Sequence, residues 1–136
     1  MSMRFDISGG NLDSAGEASS TIKSKLKQLG IGYSIIRRVA IASYETEMNI
    51  VLHANRGTLS VYVAEDHIKI IAVDEGPGIP NVELAMQEGY STATEQIREM
   101  GFGAGMGLPN MKKCSDQFEI HSDIGKGTKV MIVIFF

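Results

Sequence analysis

His67-Ile68-Lys69-Ile70-Ile71-Ala72-Val73-Asp74-Glu75-Gly76-Pro77-Gly78-Ile79 is the stretch that decides the fold. An apolar run rich in β-branched residues predicts a strand from His67 to Val73, and Gly76-Pro77-Gly78 predicts a tight turn after it. A carboxylate at a buried strand end, next to backbone with few side chains, lets a flat ligand approach closely. Ionised Asp74 only accepts hydrogen bonds, so it can receive the exocyclic amine of adenine; guanine presents a carbonyl there and would be repelled. An ordinary β-turn has the same local appearance, so the flanking sequence has to decide.

Upstream, Thr58 to Val63 reads as the partner strand across the polar turn Ala64-Glu65-Asp66. A long helix is expected from about Ser34 to Ala54, ending before Asn55-Arg56-Gly57. Before it, Ala15, Ala18, Ile22, Leu26 and Leu29 recur at helical spacing and stop at Gly30. Arg4 to Ser8 alternates and predicts a first strand. Downstream, Pro80 opens a short helix through Val82, Leu84, Ala85 and Met86, and polar, irregular text follows between Gly89 and Gly103. A helix over Leu108 to Lys113, a strand near Phe118 to His121, a turn at Asp123 to Gly127 and a strand over Thr128 to Phe136 complete the chain. Strands in consecutive pairs with helices between them predict an α+β, two-layer sandwich: a mixed, mostly antiparallel sheet with helices on one face, in one domain over 1–136. The last strand does not alternate, so it should be central and covered, or meet a partner chain.

A length of 136 residues supports a single core. The net charge of -3 argues against broad binding to nucleic acid or an anionic membrane. Arg37-Arg38 and Lys112-Lys113 could each form a local basic patch or an ordinary solvated helix face. The apolar run Val130 to Phe136 is too short to span a bilayer, which takes about 20 residues. The first residues show no secretory signal pattern. The lone Cys114 has no partner for an internal disulfide; a cytoplasmic home is expected, with Cys114 as a packing residue.

Three further features carry chemistry. Glu45 and Asn49 stand four apart in the long helix and share a face, about 6 Å from each other, with His53 a turn further on. An amide oxygen beside a carboxylate suits a magnesium ion and a base, though a solvated face looks the same. Glu47 lies off that face and is expected to matter little. In Gly101-Phe102-Gly103-Ala104-Gly105-Met106-Gly107-Leu108-Pro109, alternate glycines run into a helix start and would expose backbone N–H groups to phosphate. The Rossmann spacing is absent from it. Gly125-Lys126-Gly127-Thr128 lacks the P-loop spacing and precedes a strand; it reads as a tight turn delivering Thr128 toward the adenine end of a pocket.

In order, a helical E-x-x-x-N, D-x-G-x-G after a strand, G-x-G-x-G before a helix and G-T before a strand resemble the Bergerat ATPase signature of gyrase, heat-shock chaperones, histidine kinases and MutL. The resemblance spans Glu45 to Thr128. It implies that Asn49 holds Mg2+, Asp74 binds the adenine amine, and Gly76, Gly78 and Ile79 shape the base pocket. It further implies that Gly103, Ala104, Gly105, Met106, Gly107 and Leu108 wrap the phosphates of ATP, and that Thr128 supports the Asp74 contact. Asn81 to Met100 takes the place of a mobile lid.

Transducer domains and a phospho-accepting histidine hairpin have no counterpart in so short a chain. The chain is similar instead to the bacterial anti-sigma-factor serine kinases of the RsbW and RsbT group. Asp74 to Ile79, Gly105 to Pro109, and Phe118-Glu119-Ile120-His121-Ser122 before Gly125 to Thr128 favour the RsbT branch. Membership implies phosphorylation of a STAS-domain protein, with Glu45 as base, and sequestration of a sigma factor in some members. The rival from another class is a nucleotide-gated clamp that captures or releases such a regulator without phosphotransfer.

Overall fold

The computed structural model describes residues 1–87 and 107–136. Strand β1 (Ser2–Ser8) leads through a 3-10 turn at Leu12–Ser14 to helices α1 (Glu17–Gln28) and α2 (Tyr33–His53). Strands β2 (Arg56–Val63) and β3 (His67–Glu75) and the single-turn helix α3 (Val82–Ala85) follow. The last part comprises helix α4 (Gly107–Lys113) and strands β4 (Gln117–Asp123) and β5 (Gly127–Phe135).

The described strands form one five-stranded sheet in the order β1-β2-β3-β5-β4. Every pairing among them is antiparallel, so the expected mixture of directions is not seen. Two pairs are hairpins, which can only be antiparallel; β1 and β5 reach their other neighbours through helical crossovers and still run antiparallel. The non-alternating strand β5 lies between β3 and β4. Its Val130, Ile132 and Ile134 are buried in the core, while Val133, on the opposite face, is also buried.

The helices pack on one face. Leu59 and Val61 from β2, Ile68, Ile70 and Ala72 from β3, and the β5 triplet meet Ile22 and Leu26 of α1 and Ile36, Val39 and Ile50 of α2. Each such aliphatic side chain, fully buried, stabilises the fold by about 1.5–3 kcal/mol against exposure. Helix α1 ends where the Ile31 N–H donates to Leu26 O at 3.2 Å and Gly30 N–H to Lys27 O at 3.0 Å, closing the last turn. Among the described residues no helix is long and apolar enough to cross a membrane.

Strand β3 is longer than expected. Its pairing with β2 continues to Arg56 opposite Glu75, and Asn55 N–H donates to Glu75 O at 2.8 Å. Asp74 therefore lies inside the strand, held by the ladder, rather than in the turn after it.

Two polar contacts tie the helical layer together. Arg38 donates to Cys114 O at 3.1 Å and to Asp116 at 3.0 Å, and Asp116 accepts from Phe135 N–H at 2.7 Å. That N–H first, and the Arg38 guanidinium after it, hold the Asp116 carboxyl below its ordinary value against the opposing effect of burial. Arg38 is thus a clamp between α2 and the β4–β5 pair and not part of a solvated patch.

The second contact corrects the expectation for Glu47. Its side chain is buried at 2% exposure. Oε2 accepts from the N–H groups of Gly16 at 3.0 Å and Ala18 at 3.2 Å, and Oε1 from Ser19 at 3.0 Å. Helix α1 starts after Gly16, which has no side chain to cap it. Glu47 supplies the cap from α2, satisfying N–H groups that the helix itself leaves open and placing negative charge at its positive end.

Candidate functional site

Helix α2 packs across β1, β2, β3 and β5, and a cavity of about 310 Å³ lies where it faces β3 and β5. Its floor is Ala72 and Asp74 of β3 with Thr128 and Val130 of β5. Asn49, Ile50 and His53 of α2 form one wall; Pro77 to Asn81, Ala85 of α3, and Gly107, Leu108 and Met111 of α4 form the others. The walls are largely apolar and the polar groups few, which is the usual composition of a site for a flat organic ligand.

Asp74 is half-buried at one end. Thr128 N–H donates to its Oδ1 at 3.1 Å. Burial raises the carboxyl above its ordinary value, and the Thr128 bond pulls part of the way back. The bond exists because β5 starts very close to β3. A Cβ on Gly127, whose φ is +138°, would come within 2.0 Å of Asp74 O. Only glycine tolerates both that φ and that approach.

Ser122, which the sequence left without a role, joins this end to the turn after β3. Ile79 N–H donates to Ser122 Oγ at 2.7 Å, and Ser122 Oγ and Thr128 Oγ1 are 2.9 Å apart. Gly125 N–H donates to Pro77 O at 2.8 Å. The turn is therefore sewn to the β4–β5 hairpin, and Gly78 sits at the seam: its φ is +77° and a Cβ would reach Asp123 O at 2.3 Å. Pro77, Gly78 and Ile79 line the cavity, but Gly76 does not. The place of its Cβ is 3.1 Å from Ala54 Cα, so Gly76 lets the turn pack on the end of α2.

Where α2 packs on α4, Glu45 and Asn49 approach Gly107. A Cβ on Gly107 would lie 3.2 Å from Glu45 Oε2 and 3.3 Å from Asn49 Oδ1. Oxygens from successive turns of α2 thus pack closely against Gly107, and a side chain there would crowd both. Asn110 of α4 donates to Glu45 Oε1 at 3.3 Å. His53 lines the wall, and burial pushes its imidazole below its ordinary value, toward the neutral form. His67 is not near: it pairs with Asp66 on the far side of β3 at 2.7 Å. Among the described residues no cluster of His, Cys, Asp and Glu forms a metal site of three such ligands. Burial raises the Cys114 thiol, in keeping with packing and not with a nucleophile.

The structure thus brings Asn49, Asp74, Gly78, Ile79, Gly107, Leu108 and Thr128 to one cavity; Glu45 does not line it but packs against Gly107, which does. Gly103, Ala104, Gly105 and Met106, and all of the expected lid beyond Gln87, lie outside the described residues.

Comparison with known proteins agrees with this fold. The chain is 35% identical over 111 residues to the "Serine/threonine-protein kinase RsbT" of Bacillus subtilis, covering 79% of this chain and 77% of that one. It is 32% identical over 118 residues to an "Anti-sigma F factor" of Caldanaerobacter subterraneus subsp. tengcongensis, covering 83% and 79%. Among solved structures, a chain of the SiaB-SiaC complex from Pseudomonas aeruginosa shares the fold with a TM-score of 0.67 at 16% identity, covering 97% of this chain and 89% of that one. The mycobacterial sensor histidine kinase MprB does so with a TM-score of 0.57, also at 16% identity, covering 99% and 97%. From the helix that carries Glu45 to the last residue, 45–136, the sequence matches the family described as histidine kinase-, DNA gyrase B-, and HSP90-like ATPase, and the chain belongs to that family.

Proposed function

We propose that this chain is a cytoplasmic, ATP-dependent protein serine/threonine kinase and anti-sigma regulatory factor that phosphorylates a STAS-domain, anti-anti-sigma-like partner. Residues 1–136 then act as a single ATP-binding domain. The observation that carries the reading is one cavity lined by Asp74 and Thr128 from the sheet and by Asn49 and Gly107 from the helices, with the Glu45 carboxylate packed beside Gly107. The relatives' names support kinase activity and an anti-sigma role.

In this reading Asp74 accepts the adenine amine, and Thr128 holds Asp74 in place. Ile50, Ala72, Met111 and Val130 enclose the base. The run ending in Gly107 and Leu108 follows the phosphates. The hydroxyl oxygen of the partner's serine attacks the γ-phosphorus while the bond to the β–γ bridging oxygen breaks. Its proton passes to Glu45, and ADP leaves. Phosphoryl transfer needs mainly positioning and charge stabilisation from the protein, and a base of this kind contributes about 10²–10⁴ in rate. Asn49 Oδ1 is a hard oxygen donor of the kind Mg2+ takes; that ion, when bound, would neutralise charge on the triphosphate.

The test is incubation with γ-labelled ATP and the STAS-domain proteins encoded in the same genome, with mass spectrometry of the labelled product. Label on a serine or threonine of such a partner is expected. No transfer to any of them, together with ATP- and ADP-dependent differences in binding one, would replace the kinase by a nucleotide-gated clamp.

A further inference from the structure

We infer that Asn110 is the positioning residue for Glu45, holding one carboxylate oxygen and so setting the direction of the other. The inference rests on the reading of Glu45 as the base.

Asn110 follows Gly107 by three residues, so both lie on the same flank of α4. Leu108 and Met111 fill the core beneath, and α4 packs against α2. On that flank the two residues divide the Glu45 carboxylate between them. Oε1 receives the Asn110 amide at 3.3 Å, and Oε2 is the atom 3.2 Å from the place of a Gly107 Cβ, where Asn49 Oδ1 also arrives. A carboxylate only accepts, so the NH2 end of Asn110 must face it whichever way the amide is drawn. The bond is long for an N–H···O contact, as bonds to a base often are before the substrate is bound.

A base works through geometry first, and the groups that hold it are part of the apparatus. Glu45 has rotatable bonds out to its carboxylate and no other described partner, so without Asn110 the Oε2 direction is unconstrained. An amide suits the task because it fixes direction without a positive charge that would compete for the carboxylate. Asn110 is only half-buried, so its replacement leaves the core intact.

The experiment measures initial rates of ADP formation from Mg·ATP, with and without a STAS-domain protein. Asn110→Leu, Asn110→Asp, Glu45→Gln and the double variant Glu45→Gln/Asn110→Leu are compared, with melting temperature as a check on folding. Loss of orientation should lower kcat about 10-fold in Asn110→Leu, and like charge beside Glu45 should lower it about 100-fold in Asn110→Asp. KM for ATP should stay within about twofold in both, because Asn110 does not line the cavity. In the Glu45→Gln background Asn110→Leu should add no further loss, as expected of two residues acting as one unit. Equal fractional losses in both backgrounds, or a raised KM with unchanged kcat, would overturn the inference and leave Glu45 as the base. A wild-type rate in Glu45→Gln would instead remove the base itself, and the role of Asn110 with it.

Discussion

Glu47→Gln should destabilise the domain far more than Glu45→Gln, although both replace a helix carboxylate by its amide. Glu47 is buried and accepts from three backbone N–H groups at 3.0–3.2 Å, those of Gly16, Ala18 and Ser19. Hydrogen bonds to a charged group contribute about 1.5–3 kcal/mol each in net terms, and charge at a helix N-terminus adds about 0.3–2. Gln keeps one oxygen acceptor but turns an NH2 toward at least one of these N–H donors. Relief of the desolvated charge offsets part of the loss. A net cost of about 2–4 kcal/mol remains, out of a total stability of about 5–15 for a domain this size. At about 3–5 °C per kcal/mol this lowers the melting temperature by about 10 °C. Glu45, half-buried with one long bond to Asn110, should cost less than about 1 kcal/mol. Circular dichroism melts and urea titrations on both variants give the numbers. Amide exchange localises the effect, since the Ala18 and Ser19 amides should lose protection first. An unchanged melting temperature in Glu47→Gln would refute the trans-helix cap.

Other expectations follow from single contacts. Gly107→Ala places a methyl 3.2–3.3 Å from the Glu45 and Asn49 oxygens, so ATP turnover should fall, while helix propensity holds stability constant or raises it by up to about 1 kcal/mol; a rate equal to wild type would show that the placing of these oxygens is not needed for turnover. Gly78→Ala meets Asp123 O at 2.3 Å with φ at +77°, and should cost about 2 kcal/mol or more in urea unfolding as well as nucleotide affinity. Asp74 must be ionised to accept the adenine amine, and burial raises its carboxyl. ATP affinity by calorimetry should therefore fall, as pH is lowered, at a higher pH than an ordinary aspartate would dictate, and affinity should favour ATP over GTP; equal affinities for the two nucleotides would remove Asp74 from base recognition. The same raised carboxyl costs stability as pH rises through its folded value, because the unfolded chain ionises more readily. His53, lowered by burial, acts the other way: stability is lost as pH falls below about 6.5, the unfolded value, down to its folded one.

The elements were legible because they depend on short-range pattern. Ile22 and Leu26 one turn apart, the β-branched run from Ile68 to Val73 and the turn residues Gly125-Lys126-Gly127 each state a local preference, and the structure keeps all of them. The length of β3 was not legible, since Asp74 and Glu75 are poor strand formers and are held extended by their partners Gly57 and Arg56. The motif spacing foresaw which residues could meet in one cavity, but not what each side chain faces. Helical period separates Glu45 from Glu47 by about 200°, and so says they face different ways. It cannot say that one way leads to Asn110 and Gly107 and the other to the open end of α1, because α4 and α1 are distant in sequence from both. Ser122 was hidden for a similar reason: a serine in an alternating strand reads as an edge residue, and only the register opposite Thr128 brings its hydroxyl to the Ile79 N–H. The helix thus carries two carboxylates two residues apart, one capping α1 and one held beside Asn110 and Gly107 of α4. Separating them takes two different measurements on the same pair of variants: a melting temperature that moves for Glu47, and a rate that moves for Glu45.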